Sequence, residues 1–176
     1  KVQCHKMANL PEDRLKPNDP PFTRVGMDFF GPVQVKQGRS MVKRYGVVFT
    51  CLAVRAVHIE RADSLDTDSC IAAVRRFIAR RGQVQLIRSD NGTNLVGAQR
   101  EMRKEIESWN QAKISDTLLQ RNIEWRFNPP GGSHFGGVWE RQIRTIRSLM
   151  CSLLKQQTLT DESLQTLFCE IEAIIN

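Results

Sequence analysis

The chain lacks any run of 18 apolar residues, which excludes a membrane-spanning helix. It also lacks an apolar signal core. The opening "KVQCHKMANL" is polar and carries no initiator methionine, so an excerpt from a longer polypeptide is expected. Paired cysteine spacing is missing too: Cys4, Cys51, Cys70, Cys151 and Cys169 are odd in number, and the last four lie in apolar or helical contexts. That pattern points to a reduced, intracellular protein and away from a disulfide scaffold. There is no internal repeat and no low-complexity tract.

What is present suits one soluble domain, with room for a fragment of another in 176 residues. A chain of this length can bury roughly 70% of its unfolded surface, enough for a core without staples. Its 40% hydrophobic and 26% charged content is ordinary for a globular protein. Lysine and arginine exceed the acids by 26 to 19, giving +7. This is compatible with a polyanionic partner, although a merely basic domain has the same sum.

Residues 1–22 are polar and contain Pro11, Pro17, Pro20 and Pro21, which reads as a tether. A strand is expected from Arg24 to Phe30, closed by Gly31-Pro32. After the Gly38 turn come strands from Lys43 to Val54 and from Ala56 to Glu60, forming an antiparallel meander. The period then changes to that of a helix, starting at Asp66 or Thr67 and stopping at Gly82. A short strand from Val84 to Arg88 runs into the turn "SDNG". Helical segments follow in "VGAQREMRKEIESWNQA" and "SDTLLQRN", then a strand from Ile123 to Phe127. The glycine- and proline-rich stretch Asn128 to Gly137 reads as a loop. Beyond it a long amphipathic helix places Ile143, Ile146, Met150 and Leu153 at helical spacing. The last helix is capped by Thr160, with Ser163 in its first turn. The order βββ-α-β-α-β-α-α makes a mixed sheet flanked by helices, an α/β fold.

Three acids stand at element ends or inside elements. Asp28 interrupts the strand "RVGMDFFGPV", where a carboxylate is disfavoured by propensity and costly to bury unless paired, hydrogen-bonded or bound to a cation. Asp90 follows the strand "VQLIR"; an Asx-turn is its ordinary role. Glu140 is expected in the first turn of the long helix, where the helix dipole alone favours an acid. The compensation that best explains Asp28 is a divalent cation. Mg²⁺ takes few carboxylates and keeps substrate phosphate oxygens, and two such ions make an in-line clamp for phosphoryl transfer. Arg144 and Arg147 lie at i+4 and i+7 from Glu140, on the same helix face. A carboxylate followed by two guanidinium groups suits a metal site beside a nucleic-acid backbone; the alternative is a solvated basic face.

The stretches "VGMDFFGPV", "KRYGVVFTCLAVRAVHIE", "DSLDTDSCIAAVRRFIARRG", "IRSDNGTNLVGA" and "NPPGGSHFGGVWERQIR" together resemble the integrase catalytic core of LTR retrotransposons, best the Pao/BEL type. The resemblance covers residues 22–176. It implies an RNase H-like fold with a mixed five-stranded sheet, and a D,D,E triad of Asp28, Asp90 and Glu140. Asp28 and Asp90 would hold one Mg²⁺ or Mn²⁺ ion, and Asp28 with Glu140 a second. The implied activity is that of a polynucleotidyl transferase and endonuclease: 3′-end processing and strand transfer of retroelement DNA. The implied partners are DNA ends, target DNA and further copies of the chain, with no membrane. The setting is the nucleus at the time of action and a cytoplasmic particle otherwise. Residues 1–21 resemble the tail of a zinc-binding module and its linker. Cys4-His5 matches the module's end, but Lys1 stands where a cysteine is expected, so a four-ligand zinc site is not expected here. The family continues beyond "EAIIN", so a carboxy-terminal DNA-binding region is absent from this stretch. Two other readings stay open: a domesticated or decayed integrase that binds nucleic acid without catalysis, and an RNase H-like nuclease that cuts without joining.

Other residues have two readings each. His58 alternates with Val57 and Ile59 and reads first as a packed, hydrogen-bonded strand histidine. His134, in the loop before Glu140, is a candidate for metal or substrate contact. Asn91 and Asn94 flank Asp90 as turn residues or DNA contacts. Trp125 and Trp139 read as packing residues. Arg75, Arg76, Arg80 and Arg81 face either DNA or solvent.

Overall fold

The computed structural model describes residues 19–82, 84–89, 108–127, 133–154 and 158–176, except for the side chains of 127, 133–136 and 138. Its centre is a five-stranded sheet in the order β3-β2-β1-β4-β5. The meander expected from the β-branched runs is present: β1 (Arg24–Gln37) pairs antiparallel with β2 (Ser40–Cys51), and β2 with β3 (Val57–Ala62). On its other side β1 pairs in parallel with β4 (Leu86–Ser89), which pairs in parallel with β5 (Glu124–Phe127). The fold class is therefore as expected: a mixed sheet flanked by helices.

Alternation along the strands sorts the core into two layers. Val25, Met27, Phe29, Val47 and Phe49 face α1 (Thr67–Arg81) and α2 (Gln111–Leu119), meeting Val74, Phe77, Ile114 and Leu118. Phe30, Val48, Val57 and Ile59 face α3 (Ser133–Leu153) and α4 (Asp161–Ile175), meeting Ile143, Ile146, Leu164, Phe168 and Ile171. None of the described helices is long and apolar enough to cross a membrane.

The helix termini follow their capping chemistry. Asp66 accepts a hydrogen bond from Ser69 N at 2.6 Å to start α1, and Gly82, at φ +85°, ends it. Thr160 and Ser163 form a reciprocal capping box on α4. Asn110 caps α2, accepting from Lys113 N at 2.9 Å, so the helix expected through "VGAQREMRKEIESWNQA" does not run unbroken across residues 108–110. The earlier part of that segment lies outside the described residues.

Two boundaries differ from expectation in ways that matter for the site. Gly31-Pro32 does not close the first strand. Phe30 pairs with Gly46 and Val33 with Arg44, so one extra residue of β1 is taken up in a bulge and the strand continues to Gln37. A bulge accommodates a proline, which has no N–H to give the ladder, and a glycine at φ +131°. The long helix starts earlier than the glycines suggest. Because α3 begins at Ser133, Glu140 stands about two turns inside it, not in its first turn. Packing of Trp139, Ile143 and Ile146 outweighs the weak propensity of Gly136 and Gly137. Leu153, expected on the buried stripe, is exposed at the helix end.

Gly137 invites a direct test. A Cβ added there meets no atom of the described residues within 4 Å. Gly137→Ala is expected to stabilise the protein by about 0.5–1 kcal/mol, because alanine has less chain entropy to lose and higher helix propensity. Thermal unfolding should show Tm raised by roughly 1–4 °C.

Candidate functional site

Asp28 lies on the central strand, opposite Val48 of β2. It is half-buried, and its Oδ1 accepts a hydrogen bond from Phe29 N at 2.8 Å. Alternation puts it with Gly26 and Phe30 on the face covered by α3. Gly26 touches Trp139 of that helix, and Phe30 belongs to the α3–α4 core layer. β4 ends at Ser89, abreast of Met27, the residue before Asp28. Asp90 is the next residue in sequence and, with Asn91 and Asn94, lies outside the described residues.

Glu140 follows the fully buried Trp139 and is itself exposed. Arg144 and Arg147 continue the same exposed row along α3, while Ile143, Ile146 and Met150 are buried on the other side, as the periodicity requires. His134 falls near the start of α3, and its side chain is outside the described set. The structure therefore brings Asp28, Glu140, Arg144 and Arg147 to one side of the sheet.

Among the described residues, no three His, Cys, Asp or Glu side chains gather closely enough to hold a metal ion. The described side chains that the sequence assigns to a metal, Asp28 and Glu140, are both carboxylates. Hard oxygen donors of this kind fit Mg²⁺ or Mn²⁺ and do not select zinc or copper.

No known protein-family profile matches the sequence. No curated protein matches it either. The likeness lies in the structure. The HTLV-2 integrase catalytic core domain, solved in complex with magnesium in a dimeric form, matches with a TM-score of 0.54 and 15% identity, over 89% of this chain and 87% of its own. This is the fold of an integrase catalytic core. A chain of the simian T-cell lymphotropic virus intasome, solved with PP2A regulatory subunit B56 gamma, matches with a TM-score of 0.60 and 13% identity over 84% of this chain. The present chain spans about half of that one, 47%.

On this scaffold three of the basic residues of α1, Arg76, Arg80 and Arg81, pair with carboxylates of other elements. His58 is buried on β3 between two carboxylates: its Nε2 lies 2.8 Å from Glu60 and its Nδ1 3.0 Å from Glu172 of α4. Arg76 Nε and Arg80 Nη1 donate to Glu60 at 2.7 and 3.2 Å, and Arg81 donates to Glu172 at 2.8 Å and to His58 Nδ1 at 3.1 Å. Arg76 also donates to the Arg61 carbonyl. Three of the four arginines weighed as DNA contacts are thus tied into an ion cluster, and only Arg75 is outside it. His58 is the packed, hydrogen-bonded histidine its strand position suggests.

Glu60 and Glu172 carry this cluster and were not singled out by the sequence reading. The usable signal was Glu60 at i+2 from His58, hence on the same strand face. Burial pushes the Glu60 carboxyl up, but hydrogen bonds from His58 and Arg76, with Arg80 behind them, overcome this and hold it at about 2. Burial also works against the His58 cation, yet the bonds to Glu172 and Glu60 raise its pKa above the ordinary imidazole value. Protonation turns Nδ1 from an acceptor for Arg81 into a donor to Glu172.

A pH dependence follows from the two shifts. A group whose folded pKa is raised contributes stability that is fully present below its unfolded value and is lost as pH rises through the folded value. The parent chain should therefore lose His58-linked stability from about pH 6.5 upwards. In His58→Gln that alkaline slope should be absent, which thermal unfolding between pH 6 and 9 would show. An identical slope in both proteins would refute it.

Proposed function

We propose that this chain is the catalytic core of an integrase of an LTR retroelement of the Pao/BEL type. It would be a divalent-metal-dependent polynucleotidyl transferase that trims the 3′ ends of element DNA and joins them to a target strand. The observation that carries this reading is Asp28: a half-buried carboxylate on the central strand, on the face where α3 lays down Trp139 and presents Glu140. A carboxylate at such a strand position is disfavoured unless it is hydrogen-bonded, paired or bound to a cation, and a cation is the compensation this reading assigns to it.

Asp28, Asp90 and Glu140 would hold Mg²⁺ or Mn²⁺. The chemistry such ions supply when bound is activation of the attacking oxygen and stabilisation of the leaving one. The chain's own residues do the rest. The hydrogen bond from Phe29 N fixes the Asp28 carboxylate against its own backbone. Arg144 and Arg147, exposed in the row that Glu140 begins, take the DNA backbone in a salt-sensitive, sequence-tolerant contact. Asn91, Asn94 and His134 are assigned the nearer contacts to the reacting nucleotides. The partners are element DNA, target DNA and further copies of the chain; the dimeric form of the HTLV-2 core supports the last. The reaction belongs in the nucleus, and residues 1–21 are the tail of an upstream module.

The test is a Mn²⁺-dependent assay with the full-length polypeptide that contains this chain, scoring cutting and joining separately, with Asp28→Asn beside it. Joining by the parent and not by the variant is expected. Cutting without joining would replace this reading by that of a nuclease. DNA binding with neither activity would replace it by that of a non-catalytic derivative.

A further inference from the structure

We propose that Trp139 is the positioning residue for Glu140, and that Gly26 is the seat that lets it act. The proposal rests on the reading of Asp28 and Glu140 as metal-holding acids and adds what sets their relative placement.

A Cβ built on Gly26 would lie 2.1 Å from Cε3 of Trp139, 2.5 Å from Cζ3 and 3.0 Å from Cδ2. All three atoms belong to the six-membered ring of the indole. That ring rests on bare strand backbone, at a distance no other residue at position 26 would permit. The seat lies in the middle of the sheet, since Gly26 pairs with Thr50 on one side and Arg88 on the other. Trp139 is fully buried in it.

The two acids flank this contact. Asp28 stands two residues along β1 on the same face, about 7 Å away. Glu140 is the next residue along α3, displaced by about 1.5 Å of rise and 100° of turn. The contact therefore fixes height and roll of the helix just where Glu140 leaves it. The buried contacts at Ile143 and Ile146 also hold the helix to the sheet but lie three and six residues beyond Glu140.

The seat is poor in a way that a purely structural contact would not be. Among the described residues the buried Trp139 indole N–H has no hydrogen-bond partner, and neither has the hydroxyl of Thr50, the residue paired with Gly26. Unpaired buried polar groups cost stability. A phenylalanine would carry no orphan donor. What it lacks is the reach of the indole, whose far ring is the part that meets Gly26. Reach, and hence placement of the helix, is what tryptophan supplies here.

The experiment compares the full chain with Trp139→Phe, Gly26→Ala, the double variant, Glu140→Gln and Ile171→Val. Ile171 lies in α4 and serves as a control for mild core loss. Thermal unfolding is measured without metal, and Mn²⁺ binding by titration of the metal alone. Trp139→Phe is expected to lower Tm no more than Ile171→Val does, while Mn²⁺ binding weakens about tenfold or more, the scale on which residues that orient metal ligands act. Gly26→Ala should lower both Tm and Mn²⁺ affinity. The double variant should regain Tm over Gly26→Ala, because the new methyl takes space the indole has left. Ile171→Val should lower Tm and leave Mn²⁺ binding unchanged. Parental Mn²⁺ affinity in Trp139→Phe, with Glu140→Gln impaired, would overturn the positioning role and leave the acid site standing. Parental affinity in Glu140→Gln would overturn the reading of the site itself.

Discussion

Asp28→Asn is expected to lower metal-dependent joining of DNA ends by at least roughly 10³-fold, equivalent to about 4 kcal/mol of transition-state stabilisation. Asparagine keeps the shape of the side chain and can still accept the hydrogen bond that Phe29 N now gives to Oδ1. The fold therefore has no reason to fail, and without metal the change in stability should stay within about 1 kcal/mol, a few degrees in Tm. Metal separates the two proteins. A ligand that binds only the folded state stabilises it by about 2.7 kcal/mol at a hundredfold excess over Kd. The parent's Tm should rise as Mg²⁺ or Mn²⁺ is added, and the variant's should not. A variant that joins DNA at the parental rate, or that gains as much Tm from metal, would remove Asp28 from the site.

Asp28 stands out in the sequence because it violates a local rule. A carboxylate inside "VGMDFF" contradicts the strand around it, and such a contradiction marks function or strain. The arginine row of α3 could be read because it depends only on helical period and one helix. The meander, the helix caps and the α/β class were local in the same sense. Other features depended on distant partners. Gly31-Pro32 looks like a strand end in sequence, but β2 continues beyond it and holds the two residues in a bulge. Gly136 and Gly137 look like loop, but the burial of Trp139 and Ile143 carries the helix back through them. Arg76, Arg80 and Arg81 of α1 read as facing either DNA or solvent because their acceptors lie on other elements: Glu60 on β3, and Glu172 at the far end of the chain. Period says which face a charge occupies, and only the assembled fold says what stands opposite.

Those assembled contacts also explain how the sheet's open side is finished. β3 is an edge strand, and an edge exposes unpaired N–H and C=O groups. Here the side chains of Glu172 and of Asn176, the residue that caps α4, bond three of them. Asn176 accepts from Val57 N at 2.7 Å and donates to Val57 O at 2.8 Å, and Glu172 accepts from Ile59 N at 2.5 Å. At the other end of the helix, Arg61 of β3 donates to the Asp161 carbonyl at 3.2 Å, and Arg44 of the neighbouring β2 donates to the Asp161 carboxylate at 2.7 Å. The final helix is thus strapped to the edge at both ends, and the cluster around His58 joins its strap to α1.

Glu60→Ala tests that joint and is expected to cost about 3 kcal/mol. Glu60 is 1% exposed and takes hydrogen bonds from His58, Arg76 and Arg80. Removing one partner of a buried charge pair costs about 3–5 kcal/mol, chiefly because the other is left without compensation. The low end applies because the side chains of Arg76 and Arg80 are 46% and 53% exposed and can turn to water. His58, at 2%, cannot. In a protein of this size the loss corresponds to a Tm lower by roughly 6–12 °C at neutral pH. Asp63→Ala is the control: its carboxylate meets Arg44 and Arg61 but is 62% exposed, so its loss should stay within about 1 kcal/mol. Acid supplies a second signature. A depressed carboxylate contributes stability above its unfolded pKa that disappears as pH falls through its folded value. For Glu60 the window runs from the ordinary carboxylate range near 4.5 down to about 2. The parent should lose stability steeply across that window and Glu60→Ala less steeply, so the two curves converge in acid. A Tm change no larger than that of Asp63→Ala, or parallel acid limbs, would show that the cluster decorates α1 and does not bind it to the sheet edge.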